Sequence, residues 1–212
     1  EAAYLSRSLE AVLNQDYPAE RMQIIVADGI SQDGTRQLLQ DYQAQYPQIN
    51  VVDNPGRIVP KALNAAIPLA KGEFLIRVDG HCQIAPAYVS RCVQHLLAGE
   101  VDGVGGPTQT VGETRLVRWV ALAMSSPFGV GGSAFRTLQD KTCLADTIPF
   151  PAYTREIVQR AGPYDEELVR NQDDEYNYRL RSLGAKLLLA ADVRSVYYSR
   201  SSLTSLWRQY FQ

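Results

Sequence analysis

The chain has 212 residues, 45% apolar and 21% charged, with a formal net charge of −2. This ordinary globular composition suits one domain with its own core, and the charge argues against a non-specific grip on nucleic acid. No apolar run approaches the ~18 residues of a bilayer span.

No N-terminal secretory pattern is present. Cys82, Cys92 and Cys143 lack CxxC spacing, so they read as reduced thiols in a cytosolic setting. Glu1 opens almost directly into a helical pattern and the last residues stop in mid-pattern. The chain therefore reads as a piece of a longer one.

In chain order, Leu5, Leu9, Val12 and Leu13 recur at helical spacing, and Asp16-Tyr17-Pro18 ends that helix. Met22 to Ala27 is a buried-strand pattern closing at Asp28. The turn Gly29-Ile30-Ser31-Gln32-Asp33-Gly34 follows, and Leu38, Leu39, Tyr42 and Tyr46 mark a second helix. Ile49 to Asp53 is the next strand, and Asn54-Pro55-Gly56 a turn. Pro60 suits a first helical position, while Pro68 should kink or shorten the same helix.

Gly72 leads into Phe74 to Val78, a short apolar run that suits a strand buried in a parallel sheet. Asp79-Gly80-His81 stands at its carboxyl end. Pro86 to Leu97 reads as a helix, with Val89, Val93, Leu96 and Leu97 inward and Gly99 as its stop. The alternation of strand and helix to this point predicts right-handed βαβ units.

The second half differs. Val101 to Thr110 is Gly-rich with β-branched residues, and Leu116 to Met124 reads as a helix. Pro127 to Ser133 is a glycine-rich loop without the Lys-Ser/Thr pair of a phosphate loop. Gln172 onward reads as a helix capped by Asn171, with Tyr176, Leu180 and Leu183 facing the core.

Open α/β sheets bind ligands beyond the carboxyl ends of their strands. Asp28 and Asp79 both stand at such ends. A carboxylate there can accept the ring N–H of a flat heterocycle, or it can be an ordinary turn residue. Asp79 and His81, two residues apart, can both reach a cation held in the turn. Asp173, Asp174 and Glu175 occupy a first helical turn, where acids favour the helix dipole and where one can serve as a general base. Arg57, Lys61 and Arg77, with Arg200 and Arg208, can neutralise phosphates near a crevice, or simply be a solvated face.

In order and spacing these residues resemble glycosyltransferase family 2, and within it the succinoglycan-type exopolysaccharide transferases. The carrying stretches are Ile25 to Thr35, Ala62-Leu63-Asn64-Ala65-Ala66, Ala70-Lys71-Gly72-Glu73 with Asp79-Gly80-His81, Gly162-Pro163-Tyr164-Asp165-Glu166, and Gln172-Asp173 with Arg179 and Gly184. The resemblance covers nearly the whole chain. It implies a single α/β GT-A domain over residues 1–212, with a mainly parallel central sheet flanked by helices and the family's first strand missing. Residues 1–99 would be the nucleotide-binding half and 100–212 the acceptor half.

It also implies transfer of a sugar, with inversion, from a nucleotide-diphospho-sugar, expected to be UDP-linked, to a glycan or lipid-linked acceptor. Asp28 matches the carboxylate at the nucleobase. Asp79 and His81 match the acidic motif that meets a Mn²⁺ or Mg²⁺ on the diphosphate. Asp173 matches the catalytic base, and Arg208-Gln209 a late motif that helps hold the diphosphate; Lys61 belongs to the same donor side. Gly29, His81 and Gln172 stand where the family often has acids. The expected location is cytoplasmic, at the cytoplasmic face of a membrane reached through segments outside this chain, with Trp207, Tyr210 and Phe211 near the interface. No nucleic-acid partner is expected. A nucleotidyltransferase and a non-catalytic sugar-nucleotide or glycan-binding module are the alternatives.

Overall fold

The computed structural model describes residues 2–111 and 140–198. The chain opens with helix α1 (Ala2–Leu13) and strand β1 (Ile24–Asp28), followed by α2 (Thr35–Gln45) and β2 (Ile49–Asp53). β1 and β2 pair in parallel, from Ile24 opposite Ile49 to Asp28 opposite Asp53. Leu5 and Leu9, one turn apart on α1, meet Leu39 of α2 in a small apolar cluster backed by Val26 and Val51.

Helix α3 (Val59–Ala66) carries Pro60 in its first turn. Pro68 falls in a 3-10 turn, Ile67–Leu69, that finishes the helix, as expected of a ring that cannot donate to the ladder. Strands β3 (Phe74–Ile76) and β4 (Cys82–Ile84) then bracket the Asp79 turn, and α4 (Tyr88–Leu97) follows. Gly99 ends α4 with φ 73, the left-handed conformation that glycine adopts without steric cost.

Beyond it come β5 (Gly103–Gly105), β6 (Thr108–Val111), β7 (Cys143–Leu144), β8 (Ala152–Thr154), α5 (Arg155–Ala161), α6 (Gln172–Ser182), β9 (Leu187–Leu189) and β10 (Ser195–Tyr198). The expected helix at 116–124 and the glycine-rich loop at 127–133 lie outside the described residues.

The architecture is α/β, but the sheets are mixed rather than mainly parallel. The larger sheet runs β3-β8-β5-β9-β7 and a second runs β4-β10-β6. Strand β8 is antiparallel to both β3 and β5, because it enters between them from the opposite end. β5 and β9 are parallel, as are β6 and β10. Phe74–Ile76 is thus a half-buried strand at the sheet edge with an antiparallel neighbour, not a strand buried in a parallel sheet.

Two larger cores flank the sheets. One joins Tyr88, Cys92, Val93 and Leu96 of α4 to Val104, Ala152 and Val193. The other joins Ile157 and Val158 of α5 to Tyr176 and Leu180 of α6 and to Leu187 and Leu189 of β9. Burying a valine, leucine or isoleucine side chain of these cores contributes about 1.5–3 kcal/mol. Two residues expected inward face out: Leu97 is 65% exposed and Leu183 38%. Leu97 is the last residue of α4 and Leu183 follows the end of α6. Cys82 and Cys92 are buried, and none of the three cysteines is paired. Among the described residues, no helix is long and apolar enough to cross a membrane.

Candidate active site

Asp28 ends β1 and is almost fully enclosed. Its Oδ1 accepts the Ser31 hydroxyl at 2.6 Å, and its Oδ2 accepts the Ser31 N–H at 3.1 Å and Arg36 at 2.8 Å. Arg36 also reaches Asp53, so one guanidinium joins the carboxyl ends of both parallel strands. Burial opposes the charge on Asp28, but the bonds from Ser31 and Arg36 outweigh it and hold its pKa below the ordinary range. The loops at these strand ends hold two non-glycine residues in left-handed backbone, Ile30 (φ 57) and Arg57 (φ 55). For a β-branched residue such as Ile30 that conformation is strained, and strained backbone gathers at functional sites.

The second cluster forms where β3 exits and α6 begins. The Arg77 backbone N–H donates to Pro151 at 2.9 Å, continuing the edge of β3. Its side chain is 12% exposed. Nε donates to Asp79 Oδ1 at 2.9 Å and Nη2 to Asp79 Oδ2 at 3.3 Å, while Nη1 donates to Asp173 Oδ1. One guanidinium therefore bridges a carboxylate from the strand exit and a carboxylate from a helix start 96 positions away in sequence. The sequence lets Arg77 be read as part of a solvated face, and the structure corrects that. Residues 77 and 79 stand two apart beside a strand, so they share a side of it, which is the signal that pairs them.

The acids of α6 separate clearly. Asp174 is exposed. Glu175 is engaged with Arg179 one turn on, at 2.6 and 2.8 Å. Asp173 alone of the three accepts from Arg77, which also holds Asp79. Burial raises its pKa most; Arg77 opposes this, Asp79 and Asp174 add to it, and the net is upward. Asn171 precedes the helix with φ 58 and makes no side-chain cap bond, contrary to the capping expectation.

Supporting contacts hold this helix start in place. Asn177, buried, donates to the Asp173 carbonyl at 2.8 Å and to Thr147 at 3.1 Å, and accepts the Tyr153 hydroxyl at 2.8 Å. Tyr164 stacks on Tyr176 at 3.8 Å between ring centres. Asn64 of α3 donates to Tyr164 O at 2.9 Å and to Glu166 at 3.0 Å, and accepts the Tyr164 N–H at 2.8 Å. Two sequence motifs a hundred positions apart, around Asn64 and Tyr164, are thereby one structural joint. Asn64→Ala removes all three bonds and leaves the partly buried Tyr164 N–H without its partner. The expected cost is about 1–3 kcal/mol, read as a lower midpoint in urea unfolding.

His81 packs edge-on against Tyr197, with ring centres 4.9 Å apart. Lys61 is exposed and lies along Gly56. Arg208 and Gln209 lie outside the described residues, as do Arg200, Trp207, Tyr210 and Phe211. Among the described residues, no three His, Cys, Asp or Glu side chains gather into a cation site. The donor set at Asp79 nonetheless fits a hard divalent cation. Arg77 takes one lone pair on each Asp79 oxygen, and a carboxylate offers about four. Cations of the Mg²⁺ type are commonly held by one or two carboxylates together with substrate phosphates, not by a full protein cage.

The family model "Glycosyl transferase family 2" matches residues 1–161. The succinoglycan biosynthesis protein ExoA of Rhizobium meliloti is 34% identical over 190 residues, covering 89% of this chain and 57% of that protein. A dolichyl N-acetyl-alpha-D-glucosaminyl phosphate 3-beta-D-2,3-diacetamido-2,3-dideoxy-beta-D-glucuronosyltransferase of Methanococcus voltae is 27% identical, covering 99% and 67%. The chain thus spans 57% of the first relative and 67% of the second. Among solved structures, the mannosyltransferase PcManGT of Pyrobaculum calidifontis, in complex with GDP-Man and Mn²⁺, has a TM-score of 0.73 at 20% identity, covering 98% of this chain and 56% of that one. S. aureus TarS with UDP-GlcNAc has a TM-score of 0.68 at 18% identity, covering 94% and 56%. The fold is therefore the GT-A fold expected from the sequence motifs.

Proposed function

The chain belongs to glycosyltransferase family 2, and from that premise we propose that it moves a sugar, with inversion, from a nucleotide-diphospho-sugar to a glycan or lipid-linked acceptor. One observation carries the reading: Arg77 draws Asp79 and Asp173 together at the exit of β3 and the start of α6. A donor-side carboxylate and a base-side carboxylate are what direct displacement at a sugar carbon requires. Asp173 takes the proton from the acceptor hydroxyl as it attacks. A single base with direct attack inverts the anomeric centre, by analogy with inverting glycoside hydrolysis.

Residues 1–99 supply the donor side and residues 100–212 the acceptor side. Asp28, closed in by Ser31 and Arg36, lies on the nucleobase side at the carboxyl ends of β1 and β2. Asp79 and His81 would hold a Mn²⁺ or Mg²⁺, which when bound neutralises charge on the departing diphosphate. Lys61, with Arg208 and Gln209, would add positive charge and donors for the same diphosphate. UDP is the expected nucleotide, although the fold neighbours include proteins with GDP-linked as well as UDP-linked donors. Contact with the cytoplasmic face of a membrane would come from segments outside this chain.

The test is a panel of UDP- and GDP-sugars with and without Mn²⁺, read by thermal shift. A ligand at a hundred times its Kd stabilises by about 2.7 kcal/mol, hence a rise of roughly 5–10 °C for a chain of this size. Asp79→Asn is expected to remove the Mn²⁺-dependent part of the rise. Equal affinity for nucleoside diphosphate with Mn²⁺ and with chelator would overturn the metal assignment. Turnover that releases pyrophosphate instead of nucleoside diphosphate would identify a nucleotidyltransferase.

A further inference from the structure

The Arg77 bridge has the geometry of an occupied cation site. Both oxygens of Asp79 and one oxygen of Asp173 point at a single guanidinium, and that guanidinium is shielded from solvent. The position is rigidly built. The Arg77 backbone is tied to Pro151. The Asp79 carbonyl accepts the Cys82 N–H at 2.9 Å and the Ser8 hydroxyl of α1 at 3.1 Å. On the helix side the Asp173 carbonyl is held by Asn177. Two carboxylates at close range would repel each other, and the fixed charge of Arg77 offsets that repulsion.

A protein-borne cation at this point has a consequence for any cation that arrives later. It competes for the same carboxylate oxygens and it repels. We propose that Arg77 is a built-in counter-ion that suppresses uptake of a bare divalent cation at Asp79, so that the cation is accepted only together with the diphosphate of a nucleotide. The diphosphate brings the negative charge that Arg77 cancels in the ligand-free domain. Arg77 is in this sense a positioning residue: it acts through Asp79 and Asp173 and touches no reacting atom. The proposal rests on the reading of Asp79 as the donor-side ligand.

The experiment is calorimetric titration of the chain with Mn²⁺ alone, and with Mn²⁺ in the presence of UDP or GDP. Arg77→Met is expected to tighten binding of Mn²⁺ alone by at least about tenfold. Arg77→Lys keeps the charge and should stay within about threefold of wild type. Arg77→Met leaves two facing carboxylates unneutralised and can fail to fold. The double substitution Arg77→Met with Asp173→Asn removes one charge of each sign, frees the oxygens of Asp79, and is expected to bind Mn²⁺ alone several-fold more tightly than wild type. Wild-type Mn²⁺ affinity unchanged in the folded variants, with clear uptake in the presence of nucleotide, overturns the proposal and leaves the metal assignment standing. Absence of Mn²⁺ uptake in every protein, nucleotide present or not, overturns both.

Discussion

Asp173→Asn is expected to slow sugar transfer by about 100- to 10,000-fold in the full-length enzyme, the usual contribution of a well-placed base. Folding should survive. The Asp173 side chain is 44% exposed, and an asparagine oxygen can still accept from Arg77, whose other contacts go to Asp79. Binding of nucleoside diphosphate should likewise persist, since Asp79 is untouched. The neighbouring acids provide the contrast. Asp174 faces solvent, so Asp174→Asn leaves the bonds of Arg77 to Asp79 and Asp173 in place. Glu175→Gln weakens a pairing with Arg179 one turn along the helix, a contact of a kind that contributes about 0.3–0.5 kcal/mol. Steady-state rates of the three variants decide the matter. An Asp173→Asn enzyme near wild-type rate, beside an Asp174→Asn enzyme that is inactive, would move the base by one residue.

Gly106→Ala is expected to cost more than about 4 kcal/mol, or to prevent folding outright, because the backbone leaves no room for a methyl group. A Cβ there would lie 1.5 Å from the Val193 carbonyl oxygen and 2.9 Å from that of Ala190. Both neighbours are main chain, and Val193 lies just before β10, so neither can give way without shifting a strand. In a chain of this length such a loss lowers the melting temperature by roughly 8–16 °C. Gly29→Ala is the control: its added Cβ would meet Arg57 at 3.7 Å, an ordinary contact, and stability should stay within about 0.5 kcal/mol. A Gly106→Ala protein with an unchanged melting temperature would mean that β5, β6 and the segment before β10 are not packed as described.

Local pattern is enough for the elements whose signal is short-range. Ile49–Asp53 coincides with its strand, and Gly99 ends α4, because β-branched runs and left-handed glycines act on their immediate neighbours. Pro68 shortens α3 for the same reason. The motif residues around Asp28, Asp79 and Asp173 are equally visible in the sequence, and the family follows from their order and spacing.

Partners distant in sequence are a different kind of information. Nothing near Phe74–Ile76 announces that β8, from residues 152–154, will pair with it antiparallel, so a parallel sheet is the natural expectation from the βαβ alternation. Nothing near Asn64 announces Tyr164, and nothing near Arg77 announces Asp173. The sequence by itself determined which residue types stand at the strand ends and the helix starts, since propensity, turn chemistry and hydrophobic period are properties of adjacent residues. Only the tertiary structure decided that Arg77 is a buried bridge and not a surface cation, that it joins Asp173 to Asp79, and that Gly106 has no alternative. Each of those outcomes depends on how segments roughly 85 to 100 positions apart are brought within van der Waals or hydrogen-bond distance, and that is set by the packing of the sheets and helices as a whole.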